Sequence, residues 1–338
     1  MRTDRNPAAW DQLGGFARVQ AAGAEAALVV LDQRLEGAES RAERVAAFEA
    51  AYRRVTEWRY QVAAGGRWPR PDSHPEDVLT PIRHSKWNPV MPDPRRQEEG
   101  SPAFKYLAEL QKVAWQRLAD VPEMHDGVRE LQNVVTLRDG RTMNGNLLHF
   151  VPLPADQDSG QAMPSWQLGS MMTQTAVEPD REVLRRMSFE TLAELEEGRA
   201  ALEEEQARAE NGGALEDAGG AVQGAGAGTA ARRQAFVDAA YFLVQAPEFN
   251  RGSDAVMRTF LVAAHTRVFG VAPVLPQGID LDGMVRGQDG FNQVMDAELR
   301  VLPGPQQTQS VELNAGNRTS APPRARAAES HTKDTGRH

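Results

Sequence analysis

The chain has 338 residues, a formal net charge of −9 and no cysteine. The missing cysteines exclude disulfide bonds, thiolate catalysis and thiolate metal sites, and the acidic balance argues against nucleic-acid binding, which requires clustered Lys and Arg. There is no apolar run of the ~18 residues that a membrane span needs, and the N-terminus lacks the apolar core of a signal peptide. We expect a cytoplasmic protein without a membrane span, and export without a signal peptide stays open.

The first 66 residues predict a pair of helices. Residues from about 7 to 34 carry apolar side chains at helical spacing, and so do residues from about 38 to 64, which end at a Gly-Gly pair. Because the loop between them is short, the two helices are expected to pack as an antiparallel hairpin.

A proline-rich stretch, residues 67–100, follows the helix pair and predicts an extended linker or an ordered surface loop. Its two tryptophans, Trp68 and Trp87, favour packing against another part of the chain. The segment "HSKWNP" at 84–89 brings a His, a Lys and an Asn into this loop, but the three residue types imply no particular reaction.

The clearest β signal lies in the middle of the chain. A helix from about 102 to 120, with Ser101 as its N-cap, precedes a β-hairpin at about 133–153 whose turn contains Asp139-Gly140. The "NGN" at 144–146 predicts a second turn or a bulge. A helix from about 178 to 209 then ends in a run of glutamates, which is typical of a solvated face rather than of a metal site.

The last third of the chain alternates between flexible and helical segments. Residues 211–230 are rich in Gly and Ala without periodicity and predict a flexible linker, whereas three helical segments follow at 231–246, 253–270 and 281–300. Residues 303–338 have almost no apolar content and predict disorder. The expected fold is therefore mainly α, a multi-helix domain with one small β-hairpin. The expected units are 1–66, 67–100, 101–210, 211–230, 231–302 and 303–338.

One stretch, "APEFNRGSDAVMRTF" at 246–260, combines the residues of an anion site. The amides at a helix N-terminus attract anions, Gly252 allows a close backbone approach, and two arginines flank the helix start. The nucleotide- or anion-binding residues that we predict here are Arg251, Gly252, Ser253, Asp254 and Arg258. The alternative is an ordinary helix start, capped by Ser253 or Asp254, in which Arg258 pairs with Asp254 at the i, i+4 spacing.

Residues 236–300 resemble the Fic (Fido) family, a helical fold whose members mostly transfer AMP to hydroxyl groups. The family signature reads His-Pro-Phe-x-Asp/Glu-Gly-Asn-Gly/Lys-Arg, often with a second Arg, and it cradles nucleotide phosphates between two helices. On "PEFNRGSDAVMR", Phe249 matches the family Phe, Gly252 the first Gly and Arg258 the final Arg. A β-hairpin upstream, like 133–153 here, would resemble the flap that holds the family's target.

The departures from this signature concern its chemistry. Pro247 stands where the family has the His that takes a proton from the attacking hydroxyl, and Arg251 replaces the acidic metal ligand. The resemblance therefore implies a nucleotide- or phosphate-binding protein that is a divergent protein-modifying transferase of the toxin or effector type, or a pseudoenzyme. Its expected partners are a nucleotide and a protein target.

The alternative function is a non-catalytic helical interaction or assembly protein, in which the 250s belong to the core. It predicts that Arg258 is paired and that no cavity lies at the helix start. Other candidate sites are weaker, and we predict no metal site. His265 is typical of a partly buried core histidine, and "DLDG" at 280–283 begins like a calcium loop but lacks the downstream ligands.

Overall fold

The computed structural model describes residues 7–65, 80–93, 98–152, 169–212 and 221–301. Residues Met1–Leu302 form one compact unit, and residues 303–338, for which we predict disorder, lie outside the described residues. The helices are α1 (Pro7–Leu35), α2 (Arg41–Ala64), α3 (Pro102–Leu118), α4 (Glu178–Gly212), α5 (Ala221–Gln245), α6 (Ser253–Phe269) and α7 (Ile279–Glu298). The strands are β1 (Trp87–Pro89), β2 (Arg129–Thr136), β3 (Thr142–Pro152), β4 (Gly169–Gln174), β5 (Pro273–Val274) and β6 (Arg300–Val301).

Six helices share the main hydrophobic core. Buried side chains from α1, α2, α4, α5, α6 and α7 form one cluster, so the N-terminal helices pack on the C-terminal ones. The α1–α2 hairpin is closed by the indole of Trp58, whose Nε1 donates to the Val19 carbonyl oxygen at 3.1 Å. This approach requires a glycine at position 23, since a Cβ there would lie 2.7 Å from the Trp58 ring.

A small antiparallel sheet packs against α3 and α7. Its strand order is β1-β4-β3-β2, and its buried face forms a second core with residues from α3 and α7. The predicted hairpin is present as β2 and β3. The "NGN" at 144–146 forms a bulge, because pairing shifts between Gln132–Leu147 and Val134–Asn144. The mainly α fold with a small sheet is confirmed.

Strands β1 and β4 were not predicted. Both are short, and "GSMMTQ" in β4 has no β-branched run that would indicate a strand from local sequence. Their extended conformation follows from pairing, since β4 lies between β3 and β1, whose Trp87 is opposite Gln174. Such pairings join segments that are far apart in the chain.

The expected flexible linker at 211–230 is wrong in part. Helix α4 continues through Gly212 and α5 begins at Ala221, while residues 213–220 lie outside the described residues. The physical reason is that adding turns to an existing, packed helix needs no new nucleation, and alanine is the best helix former. Among the described helices, none is long and apolar enough to cross a membrane.

Candidate functional site

The start of α6 differs from the predicted capped helix. Its N-cap is Gly252, with φ of 82°, and no side chain caps the helix. The Ser253 hydroxyl instead turns back to the preceding loop, where it donates to the Phe249 carbonyl oxygen at 2.8 Å and accepts from the Phe249 amide at 3.1 Å. The amides of the first helical turn have no intrahelical acceptor and remain directed outward.

A cavity of about 370 Å³ opens at this helix start. Helices α2, α5, α6 and α7 and the segment around β1 contribute to its wall. Its polar lining residues are Tyr52, Lys86, Asn88, Ser253, Asp254 and Asp280. Its apolar lining residues are mainly Leu243, Val244, Pro247, Met257, Leu281 and Met284. A cavity of this size and mixed lining is suited to a small molecule with polar and apolar groups.

Lys86 supplies a positive charge to the cavity. Within the part of the chain that the structure describes, no hydrogen bond or ion pair engages its ammonium group. Burial lowers the pKa of Lys86, a shift that the Asp280 carboxylate opposes and the nearby Arg251 guanidinium reinforces. A half-buried cation without a protein partner is costly unless a ligand or solvent compensates it.

The backbone of Lys86 is held firmly although its side chain is not. The Lys86 amide donates to Thr175 Oγ1 at 2.9 Å, and the Thr175 amide donates to the Lys86 carbonyl oxygen at 3.0 Å. Beneath this segment, the buried guanidinium of Arg181 donates to the carbonyl oxygens of Ile82, His84 and Ala176. These bonds position Lys86 at the cavity.

Asp280 lies in the first turn of α7, on the same cavity. The N-cap of α7 is Gly278, again in a left-handed conformation and without a side-chain cap. Burial, and secondarily the neighbouring Asp254 carboxylate, raises the pKa of Asp280 to about 7, although the amides of Leu281 and of Asp280 itself hydrogen-bond the carboxylate. Two uncapped helix starts, of α6 and α7, therefore border one cavity.

The predicted site residues divide into two groups. Gly252, Ser253 and Asp254 line the cavity. Arg258 does not line it, because its Nε pairs with Asp254 Oδ1 at 2.8 Å and its Nη2 donates to the Pro276 carbonyl oxygen at 2.8 Å. Arg251 is exposed just before the helix and acts on the cavity through its charge near Lys86.

Lys86 and Asp280 were missed as site residues. Both belong to motifs with a visible signal, "HSKWNP" and "DLDG", but the sequence does not show that the two segments meet. Among the described residues there is no group of three or more His, Asp or Glu side chains arranged to hold a metal ion. His265 lies in the core as expected, with Nδ1 2.8 Å from the Val271 carbonyl oxygen and ring contacts to Phe236 and Phe269.

The β2–β3 hairpin reaches the cavity indirectly. Strand β1 lines the cavity through Asn88 and Pro89, and the hairpin lies beyond β4 in the same sheet. At the bulge, the buried amides of Asn133 and Asn146 both donate to the carbonyl oxygen of Met284, which lines the cavity.

No protein-family model matches the sequence, and a search of curated proteins found no significant match.

Proposed function

We propose that the cavity at the start of α6, lined by Lys86, Ser253 and Asp280, binds a nucleotide or another phosphate-bearing small molecule. In this proposal the chain is a Fido-like protein, either a divergent protein-modifying transferase or a pseudoenzyme. The observation that carries it is the half-buried Lys86 ammonium, which has no partner among the described residues and opens on the same cavity as the uncapped helix α6.

The charge distribution supports an anionic ligand. Arg258 and Asp254 largely neutralise each other because they form an ion pair. Lys86 lines the cavity together with Asp280, and because burial raises the pKa of Asp280 to about 7, this carboxyl is partly protonated near neutral pH. The helix start adds amide donors and a partial positive charge, which favour an anion near Lys86.

The apolar wall supports a ligand that is larger than inorganic phosphate. Leu243, Met257 and Met284 are among the apolar residues that line the cavity. Flexible methionine side chains adapt to flat groups such as a nucleobase. A ligand with a phosphate near Lys86 and a base or similar ring against the apolar residues would use both kinds of lining residue.

The proposal concerns binding and does not depend on the family's usual proton acceptor. Pro247 lines the cavity at the position where that family carries its catalytic His, and proline has no group that can take a proton. A transferase would need another base, whereas a pseudoenzyme needs none.

The alternative function, a non-catalytic helical interaction protein, predicts a paired Arg258 and no cavity at the helix start. The first feature is present and the second is not. In addition, α1 and α2 bury their apolar side chains in the common core, which leaves less of their surface for a partner. We therefore favour the ligand-binding function.

Thermal unfolding of the full chain with inorganic phosphate, AMP, ADP and ATP tests the proposal. A ligand at about 100 times its Kd should stabilise the fold by roughly 2.7 kcal/mol and raise Tm by a few degrees. Lys86→Met should remove most of this shift. Lys105→Met, on the exposed side of α3, is the matched control and should retain it. The proposal fails if no compound shifts Tm, or if Lys86→Met responds like the wild type.

A further inference from the structure

Two carboxylates line the cavity, those of Asp254 and Asp280. Asp254 is paired with Arg258, so the charge of Asp280 is the one that opposes the proposed ligand. The charged groups of other elements that interact with Asp280 are Asp254 and Arg258 of α6 and Lys86 before β1. Arg251 interacts with Lys86. The Asp280 carboxylate also interacts electrostatically with Tyr106 of α3, and Tyr52 of α2 lines the same cavity.

Two arginines of α6 and α7 are paired with other carboxylates. Arg258 pairs with Asp254, and Arg286 pairs with Asp282 at 2.7 Å on the same helix as Asp280. In the described part of the chain, Asp280 itself forms no ion pair within 4.0 Å. Arg258 still lowers the pKa of Asp280 from a distance, and Lys86 is the cation of the cavity lining, with a pKa that the Asp280 carboxylate raises against the effect of burial.

We propose that the protonation state of Asp280 controls anion binding. The cavity binds an anion more tightly when Asp280 is protonated and more weakly when Asp280 is charged. This inference rests on the proposed function and specifies how the same site is controlled. An anion that pairs with Lys86 weakens the attraction between Lys86 and Asp280. It also brings a second negative charge close to the Asp280 carboxylate in a poorly solvated space. Proton uptake by Asp280 removes the repulsion.

The linkage is reciprocal and has a definite sign. Burial already raises the pKa of Asp280 to about 7, so the proton is exchanged in the neutral range. A bound anion raises that pKa further, and protonation strengthens anion binding by the same factor. Affinity is therefore highest below neutral pH and falls above it, by at most about tenfold per pH unit for one proton.

The experiment measures binding of a probe that does not titrate in this range. A cyclic nucleoside 3′,5′-monophosphate is suitable because its phosphodiester keeps one charge, unlike a phosphomonoester, whose second pKa is about 6. Calorimetric titration of the full chain at pH 6 and pH 8.5 should show roughly tenfold weaker binding at pH 8.5. At pH 7, buffers with different ionisation enthalpies should report net proton uptake.

Asp280→Asn should bind the probe at both pH values about as the wild type does at pH 6, without proton uptake. Asp296→Asn, at an exposed position on α7, is the control and should behave like the wild type. A pH dependence caused by Lys86 would persist in Asp280→Asn and would overturn the inference. Equal wild-type binding at pH 6 and pH 8.5 would overturn it too, while the proposed function stands. Absence of binding at every pH would overturn both.

Discussion

Arg258 is bound to Asp254 one helical turn earlier, with 2.8 Å between Nε and Oδ1, and its Nη2 donates to the Pro276 carbonyl oxygen at 2.8 Å. Pro276 lies two residues before the N-cap of α7. Arg258 therefore ties the start of α6 to the segment that leads into α7, and both helix starts border the cavity. Its guanidinium braces the site rather than entering it.

Replacing Arg258 by alanine should destabilise the fold by about 1–2 kcal/mol, mainly through the carbonyl bond, since hydrogen bonds to charged groups contribute more than neutral ones. The half-exposed ion pair with Asp254 adds little because solvent screens it. Urea denaturation measures the change.

The matched control for this variant is Arg186→Ala on α4. Arg186 also forms an i, i+4 ion pair, with Glu190, but its side chain is 74% exposed. We expect a loss of less than about 0.5 kcal/mol for it. Equal losses in the two variants would show that the bond to Pro276 does not brace the site.

Arg181 holds the segment that positions Lys86. Its side chain is buried, and its guanidinium donates to three carbonyl oxygens of residues 82, 84 and 176. A lysine ammonium lacks the planar arrangement of donors, so Arg181→Lys should cost about 2 kcal/mol. It should also increase hydrogen exchange in residues 82–90 and reduce the ligand-induced shift of Tm.

Arg53→Lys on α2 provides the comparison for Arg181→Lys. Arg53 is exposed and its guanidinium donates to the Glu49 carbonyl oxygen in its own helix, so the change should be nearly neutral. If Arg181→Lys leaves exchange in residues 82–90 unchanged, the segment is held by its bonds to Thr175 instead.

The sequence predicts those elements whose signals are local. The apolar periodicity of α1, α2 and α3 and the Asp139-Gly140 turn identify helices and a hairpin, because the residues that determine each element are close in the chain. Ser101 likewise caps α3 as expected, accepting from the Phe104 amide at 3.2 Å. Ser253 does not cap α6, because its hydroxyl bonds the backbone of Phe249 instead.

The candidate site depends on distant residues and is predicted only in part. Gly252, Ser253 and Asp254 come from one stretch and do line the cavity. Lys86 and Asp280 join them because β1 pairs with β4 and because α3 and α7 pack beneath the sheet. No single segment of the sequence determines that these residues meet. The closeness of Lys86 and Asp280 therefore cannot be predicted from local sequence.

Gly252 carries the last prediction, since its φ of 82° is unfavourable for any residue with a Cβ. Gly252→Ala should destabilise the fold by about 1–2 kcal/mol through backbone strain. Gly252 also lines the cavity, so the substitution changes its wall at the start of α6. We expect the ligand-induced shift of Tm to fall well below that of the wild type.

Gly100→Ala separates strain from ligand binding. Gly100 has a φ of 80° and precedes the N-cap of α3, and a Cβ there would have no neighbour within 4 Å. The two variants should therefore lose similar stability in urea, because the backbone penalty is the same. Gly100→Ala should keep the full ligand response, since its helix borders no part of the cavity lining. Equal ligand responses in the two variants would mean that the helix start at Gly252 contributes nothing to binding, and the anion would then be held by Lys86 alone.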